Sequence, residues 1–167
     1  AGWANPYYNP DKPHHTPTGF RNNHIGTVNK PLGDLLRWRY EAIRDGLPKP
    51  PGSTTPVVAP DLAAIQANAR AGAAMVPAVT WIGHATALVQ ASGLNVLTDP
   101  IFSERASPVQ IVGPKRAQPP GVPLADLPHI DVVVVSHNHY DHLDLPTLTR
   151  IGKRAKYLVP QGVARTL

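Results

Sequence analysis

With 167 residues and a 42% hydrophobic composition, the chain has the length and apolar content for one domain with a core, and it lacks any run of 18 or more apolar residues that would span a membrane. Its 16 basic and 11 acidic residues give a net charge of +5, which favours anionic partners and leaves phosphate esters, anionic lipid surfaces and nucleic acids all open. The absence of cysteine excludes disulfides and thiolate metal ligands but fixes no compartment.

The first residue is Ala1 rather than Met, as expected if a leader peptide was removed or the chain trimmed. Residues 1–31 are rich in Pro, Asn, His and aromatic side chains with little periodicity, so an extended arm is expected, with His14, His15 and His24 read as structural or solvated rather than metal-binding. Leu36, Tyr40, Ile43 and Leu47 recur at helical spacing, and Gly46 with Pro48 supplies a stop, which predicts a helix over Gly33 to Gly46. Arg37, Arg39 and Arg44 on its other faces, with Trp38, suit either a helix packed on its own domain or one lying at a membrane interface; packing is the preferred reading. A proline-rich linker, Pro48 to Pro60, leads to a short Ala-rich helix over about Asp61 to Ala71. Residues 1–77 are thus an arm and helices that pack on a domain formed by residues 78–167.

From Ala78 the pattern turns to strands: Val79-Thr80-Trp81-Ile82, Ala87-Leu88-Val89 and Leu94-Asn95-Val96-Leu97, with Ser92-Gly93 as a hairpin turn. A long proline-bearing loop follows from Pro100 to Pro128, where Lys115 and Arg116 are candidate phosphate contacts or ordinary surface charges. Val132-Val133-Val134-Val135 predicts a strand covered on both faces. Directly after it comes Ser136-His137-Asn138-His139-Tyr140-Asp141-His142-Leu143-Asp144. Side chains alternate along an extended chain, so His137 and His139 can grip one ion, while Asp141 and His142, past the start of a turn, can reach a second. Imidazole and carboxylate suit zinc, and also manganese or iron. The alternative is a histidine-rich surface loop without metal. Asp144-Leu145-Pro146 predicts a helix start with Asp144 as N-cap, and Lys156-Tyr157-Leu158-Val159 a further strand.

The motif His137-x-His139-x-Asp141-His142 resembles the signature of the metallo-β-lactamase fold. The blocks Trp81 to Thr86, Leu97 to Ser103, Gly113 to Arg116 and Ser136 to Asp144 resemble its N-acyl-phosphatidylethanolamine-hydrolysing phospholipase D branch, over about residues 78–160. The resemblance implies an α+β fold, the αββα sandwich, of which this chain would supply roughly the amino-terminal half. It also implies two zinc ions, His137 and His139 on the first, Asp141 and His142 on the second and carrying catalysis, with Asp99 orienting ligands by hydrogen bonds. His84 lies where the family motif approaches the site, as a substrate or ligand contact, or as a structural residue that supports the ligands from behind.

The family has further ligands downstream, a histidine for each metal and a bridging aspartate, and no histidine follows His142. The expected partner is therefore the remaining carboxy-terminal half of the domain, from the same gene product or a second chain. The implied activity is zinc-dependent hydrolysis of N-acylated phosphatidylethanolamine or a related phospholipid, with peripheral membrane contact. Nucleic acid is not the favoured partner, and a bacterial cell-envelope or membrane-associated location is favoured over the cytoplasm. A sugar-phosphate lactonase or nuclease of the same fold, and a non-catalytic metal-binding half-domain, remain open, because fold alone does not settle function.

Overall fold

The computed structural model describes residues 4–24, 31–46 and 56–167. It divides into two compact units, residues 1–51 and 52–167.

In the first unit, residues 4–24 are more organised than an extended arm. The short antiparallel strands β1 (His15–Thr16) and β2 (Gly19–Phe20) pair there. Asn5, itself buried, donates from Nδ2 to the carbonyls of Gly19 at 2.7 Å and Thr16 at 3.1 Å. His15 is buried with Nδ1 2.8 Å from the Tyr7 carbonyl, a structural histidine. Helix α1 (Leu32–Arg44) forms over the span that the periodicity predicts. None of its residues is buried, and Leu36, Trp38 and Ile43 are exposed. Most of the proline-rich linker lies outside the described residues.

In the second unit, helix α2 (Leu62–Ala69) begins at Asp61, whose carboxylate accepts from the Ala64 N–H at 2.9 Å and so satisfies one of the orphan donors of the first turn. The strands β3 (Ala78–Gly83), β4 (Thr86–Ala91), β5 (Leu94–Thr98), β6 (Val132–Val134) and β7 (Lys156–Leu158) form one sheet in that order. The first three are an antiparallel meander, and β6 and β7 add in parallel. At the β4–β5 turn Ser92 has φ 53° and Gly93 φ 78°, both positive as a type I′ hairpin requires. Parallel pairing needs a crossover, which the long loop from Pro100 provides for β5 to β6 and helix α3 (Leu145–Ile151) for β6 to β7.

Strand alternation puts Leu88, Leu97 and Val133, all fully buried, on one face, where Ile65 of α2 and Leu148 and Ile151 of α3 pack on them. Gln90, also buried, donates from Nε2 to the Ile65 carbonyl at 3.1 Å and to Asn95 Oδ1 at 2.9 Å, so its amide pins α2 to the sheet without an orphaned donor. The opposite face differs from the expectation of a doubly covered valine strand. Val132 and Val134 are only partly buried, and in the same rows Val79, Trp81 and Leu158 are exposed. Four consecutive valines report a strand but cannot report how many layers cover it.

Candidate metal centre

The register of β5 and β6 builds the site. Thr98 sits beside Val134, so the two strands end together and deliver Asp99 and Ser136 to one carboxyl edge, the usual place for a site on parallel strands. Asp99 is held in a left-handed backbone conformation, φ 36°, that aspartate tolerates better than most residues. Its N–H donates to the Val134 carbonyl at 2.8 Å, and its own carbonyl accepts from Thr86 Oγ1 at 2.7 Å. The local strain is therefore fixed from both neighbouring strands.

The Asp99 carboxylate then organises the histidines. It accepts from the Ser136 N–H at 2.7 Å and the Ser136 hydroxyl at 2.8 Å, and its Oδ2 lies 3.0 Å from His142 Nδ1. Ser136 Oγ is also 2.9 Å from His137 Nδ1. One assignment satisfies the whole network. The hydroxyl proton goes to Asp99, His137 donates from Nδ1 to Ser136 Oγ, and His142 donates from Nδ1 to Asp99. Both rings then carry a lone pair on Nε2, the tautomer a metal ligand needs. Burial pushes the Asp99 carboxyl up, but the hydrogen bonds from Ser136 and His142, with the charge His142 can carry, outweigh it and hold the group below its ordinary value.

The remaining donors converge on the same spot. His137 lies with its ring centroid 4.6 Å from that of His139 and 4.0 Å from that of His142. Asp141 Oδ2 is 3.4 Å from His142 Nε2 and 2.9 Å from His84 Nε2. Burial raises the Asp141 carboxyl too, and is outweighed by its own backbone N–H, the hydrogen bond from His84 and the nearby imidazole charges, so it lies below the ordinary range and is ionised at neutral pH. Two groups of donors emerge, His137 with His139 and Asp141, and His84 with Asp141 and His142. Within each, the ligand atoms lie within 4.8 Å of one another. Imidazoles, two of them, His137 and His142, with Nδ1 already engaged, together with an ionised carboxylate, fit a divalent ion of the zinc, manganese or iron type. Asp141 belongs to both groups.

Every residue the sequence singled out for the centre, His137, His139, Asp141, His142, Asp99 and His84, is in this cluster. Lys115 and Arg116 stand off from it, on the wall of an adjoining cleft of about 1260 Å³ that His84, His139 and Asp141 also line. Lys115 is tied to Glu104 at 2.6 Å, and Arg116 donates from Nη2 to the Ile101 carbonyl at 3.2 Å. Burial lowers the Arg116 pKa, against the pull of the Asp144 charge. Ser136 is the functional residue for which the sequence reading had no role. Its signal is the β5–β6 pairing, which sets it opposite Asp99 and which no local pattern contains.

Asp144 takes the expected N-cap position, with a different use of its side chain. It precedes α3 as the N-cap, but its carboxylate makes no hydrogen bond to that helix's backbone. It accepts instead from Thr147 Oγ1 at 2.6 Å and, across the loop, from the Ser103 hydroxyl at 2.8 Å and the N–H groups of Ser103 at 2.9 Å and Phe102 at 3.0 Å. These partly buried loop donors have no strand partner; this carboxylate serves both N–H groups, and Thr147 Oγ1 also accepts from the Phe102 N–H at 3.2 Å.

Residues 94–167 match the model of the β-lactamase superfamily domain. The chain is 53% identical over 92 residues to an uncharacterised protein of Mycobacterium tuberculosis, covering 54% of this chain and 25% of that protein. It is 46% identical over 89 residues to N-acyl-phosphatidylethanolamine-hydrolysing phospholipase D 1 of Caenorhabditis elegans, covering 52% and 25%. It is 33% identical over 78 residues to a UPF0173 metal-dependent hydrolase of Saccharolobus solfataricus, covering 46% and 29%. The chain thus spans about a quarter of the length of these curated relatives. The fold is that of the metallo-β-lactamase superfamily, and the resemblance to its phospholipase D-like branch stands.

Proposed function

We propose that this member of the metallo-β-lactamase-fold hydrolases contributes the metal centre of a zinc-dependent phospholipase D-type phosphodiesterase acting on N-acylated phosphatidylethanolamine or a related phospholipid. The observation that carries the reading is the union of two donor groups through Asp141 at the mouth of a cleft with apolar lining. The cleft wall includes Val57, Val58, Trp81 and Ile101, a surface suited to acyl chains, and Lys115 lies on it as a cation toward a phosphate. The similarity to the Caenorhabditis elegans phospholipase supports this substrate class.

His137, His139, Asp141 and His142 would hold the ions, and bound metal supplies Lewis acidity toward water and a phosphoryl oxygen. Asp99 and Ser136 fix the ligand tautomers so that no proton need move for the donors to be ready. The net reaction adds water across the bond between phosphorus and the head-group oxygen: a P–O bond forms from water, the head-group P–O bond breaks, and the departing oxygen gains a proton. Phosphatidic acid and an N-acylethanolamine result. Further ligands, from the remainder of the domain or a second chain, belong to the same proposal. So does peripheral contact with a lipid surface, which the exposed Trp38, Leu36 and Arg37 of α1 support, and with it an envelope or membrane-associated location.

The test is hydrolysis of N-acylated phosphatidylethanolamine in mixed micelles by the chain together with the remainder of its domain and zinc, read by mass spectrometry of both products. Both products, absent with Asp141→Ala, are expected. Cleavage of sugar-phosphate lactones or RNA with intact phospholipid would move the reading to the other hydrolases of this fold. No turnover with metal bound would leave a metal-binding module.

A further inference from the structure

The excursion between β5 and β6 carries apolar side chains outward at the tip of a closed loop. Arg105 and Lys115 form an antiparallel bridge, the Ala106 N–H donates to the Pro114 carbonyl at 3.0 Å, and the Arg116 N–H donates to the Glu104 carbonyl at 2.9 Å. The loop therefore leaves and returns through one neck. At its far end Ile111 is 84% exposed, with Val109 and Val112 exposed beside it. Resting on the reading of the adjoining cleft as a phospholipid site, we propose that this tip is an interfacial anchor that inserts Ile111 and Val112 among the headgroups and upper acyl chains of an anionic phospholipid bilayer.

The loop is built opposite to an ordinary surface turn. Turns facing water favour Gly, Asn, Asp, Ser and Pro, whereas this one falls on Gln110 and the β-branched Ile111. Its polar side chains are spent on the loop itself. Gln110 Oε1 accepts from the Arg105 N–H at 3.0 Å, while Nε2 donates to the carbonyls of Arg105 at 3.1 Å and Ser107 at 3.2 Å. Ser107 Oγ accepts from the Val109 N–H at 3.3 Å, and Arg105 Nη1 donates to the Gly113 carbonyl at 2.7 Å. Gly113 closes the loop at φ 98°, where a Cβ would stand 2.8 Å from Ser107 Cβ. These bonds satisfy polar groups that would otherwise resist leaving water, and they hold the tip in shape before it meets a partner.

Charge and place identify that partner. Within residues 103–118 the bases Arg105, Lys115 and Arg116 stand against a single acid, Glu104, which Lys115 already engages at 2.6 Å. Apolar side chains at the apex and cations at the neck match the two layers of an anionic leaflet, acyl chains within and phosphate headgroups at its surface. Three apolar side chains are too few for a stable protein interface but suffice for a shallow, reversible hold on lipid. The neck residues Ala106, Pro114, Lys115 and Arg116 also line the cleft, so an inserted tip brings the cleft wall to the surface from which a lipid substrate is drawn. Helix α1 belongs to the other unit, whereas this loop is carried by the unit that holds the metal centre.

The test is co-sedimentation of the chain, together with the remainder of its domain, with vesicles of equal parts phosphatidylcholine and phosphatidylserine and with vesicles of phosphatidylcholine alone. Binding to the mixed vesicles, weaker without phosphatidylserine, is expected. Ile111→Asp should weaken it about tenfold or more, and Ile111→Trp, a gain that misfolding cannot mimic, should tighten it. Equal binding by the parent and Ile111→Asp would overturn the anchor. A smaller species formed by Ile111→Asp in the absence of lipid would make the tip a protein interface and overturn it too. Hydrolysis of micellar phospholipid without binding to either vesicle would overturn the anchor and leave the phospholipase reading standing. Neither binding nor hydrolysis would overturn both.

Discussion

The Asp99 carboxylate holds Ser136 twice, through its backbone N–H at 2.7 Å and its hydroxyl at 2.8 Å, and so ties the ends of two neighbouring parallel strands before either reaches the metal loop. The same carboxylate receives His142 Nδ1 at 3.0 Å, so strand alignment and ligand orientation depend on one side chain.

Asp99→Asn tests that dependence with little change of shape, because asparagine also accepts the left-handed backbone. The amide has one acceptor oxygen and no charge, and it cannot take protons from Ser136 and His142 together. Metal affinity should fall about 10- to 100-fold while the fold persists. Chelator competition beside a circular dichroism melt measures both, and an unchanged affinity would remove Asp99 from the ligand-orienting role.

Asp144→Ala should act on stability. The carboxylate is almost wholly buried and serves the Phe102 and Ser103 N–H groups and two hydroxyls, of which the Phe102 N–H alone keeps another acceptor, Thr147 Oγ1 at 3.2 Å. The expected loss is about 3 kcal/mol, a melting temperature lower by roughly 6–12 °C. Asp144→Asn, keeping one acceptor, should fall between. If the alanine variant melts with the parent chain, the loop takes its order from elsewhere.

These two aspartates also show what the sequence could and could not carry. The strands near 79–82, 87–89 and 94–97, the two later helices and the clustering of His137, His139, Asp141 and His142 are legible because their signals are local: alternation, a Ser-Gly turn, valines before a histidine cluster. Asp144 reads locally as an N-cap, and it occupies that position, but, Thr147 apart, the partners of its carboxylate lie 41 and 42 residues away. Ser136 gains its role only from the register between β5 and β6, and His84 only from the bulge that bends the hairpin tip over the site. Local pattern fixes which elements form, whereas long-range pairing fixes what their side chains meet.

Tyr157 sets a pH dependence away from the metal. Its hydroxyl lies 2.7 Å from the Gly152 carbonyl and 3.2 Å from that of Leu148, and burial pushes its pKa above the ordinary tyrosine value. With the folded value raised, the unfolded chain gives up this proton first. The stabilisation is therefore complete below about pH 10 and is lost as pH climbs through the folded value. Tyr157→Phe should cost about 1 kcal/mol at neutral pH and flatten the alkaline part of the curve. Melting temperatures from about pH 8 to about pH 11 give the comparison, and parallel curves would reject the assignment.

The open face of the sheet predicts the behaviour of the chain in solution. Strand register aligns Val79, Val89, Val96 and Val132 in one row and Trp81, Ala87, Thr98, Val134 and Leu158 in the next, on the side away from α2 and α3. Val79 is 69% exposed, Trp81 72% and Leu158 60%, a contiguous apolar surface of the kind that marks association. The 167-residue chain alone should bind a hydrophobic dye and sediment as concentration-dependent oligomers. Trp81 also holds the His84 carbonyl, so the variant of choice is Val79→Lys with Leu158→Lys, which places a charge on each outer strand and leaves the metal cluster untouched. That variant should restore monomer and reduce dye binding. A parent chain that is already a monodisperse 17.9 kDa monomer without dye binding would mean that this face is covered in solution.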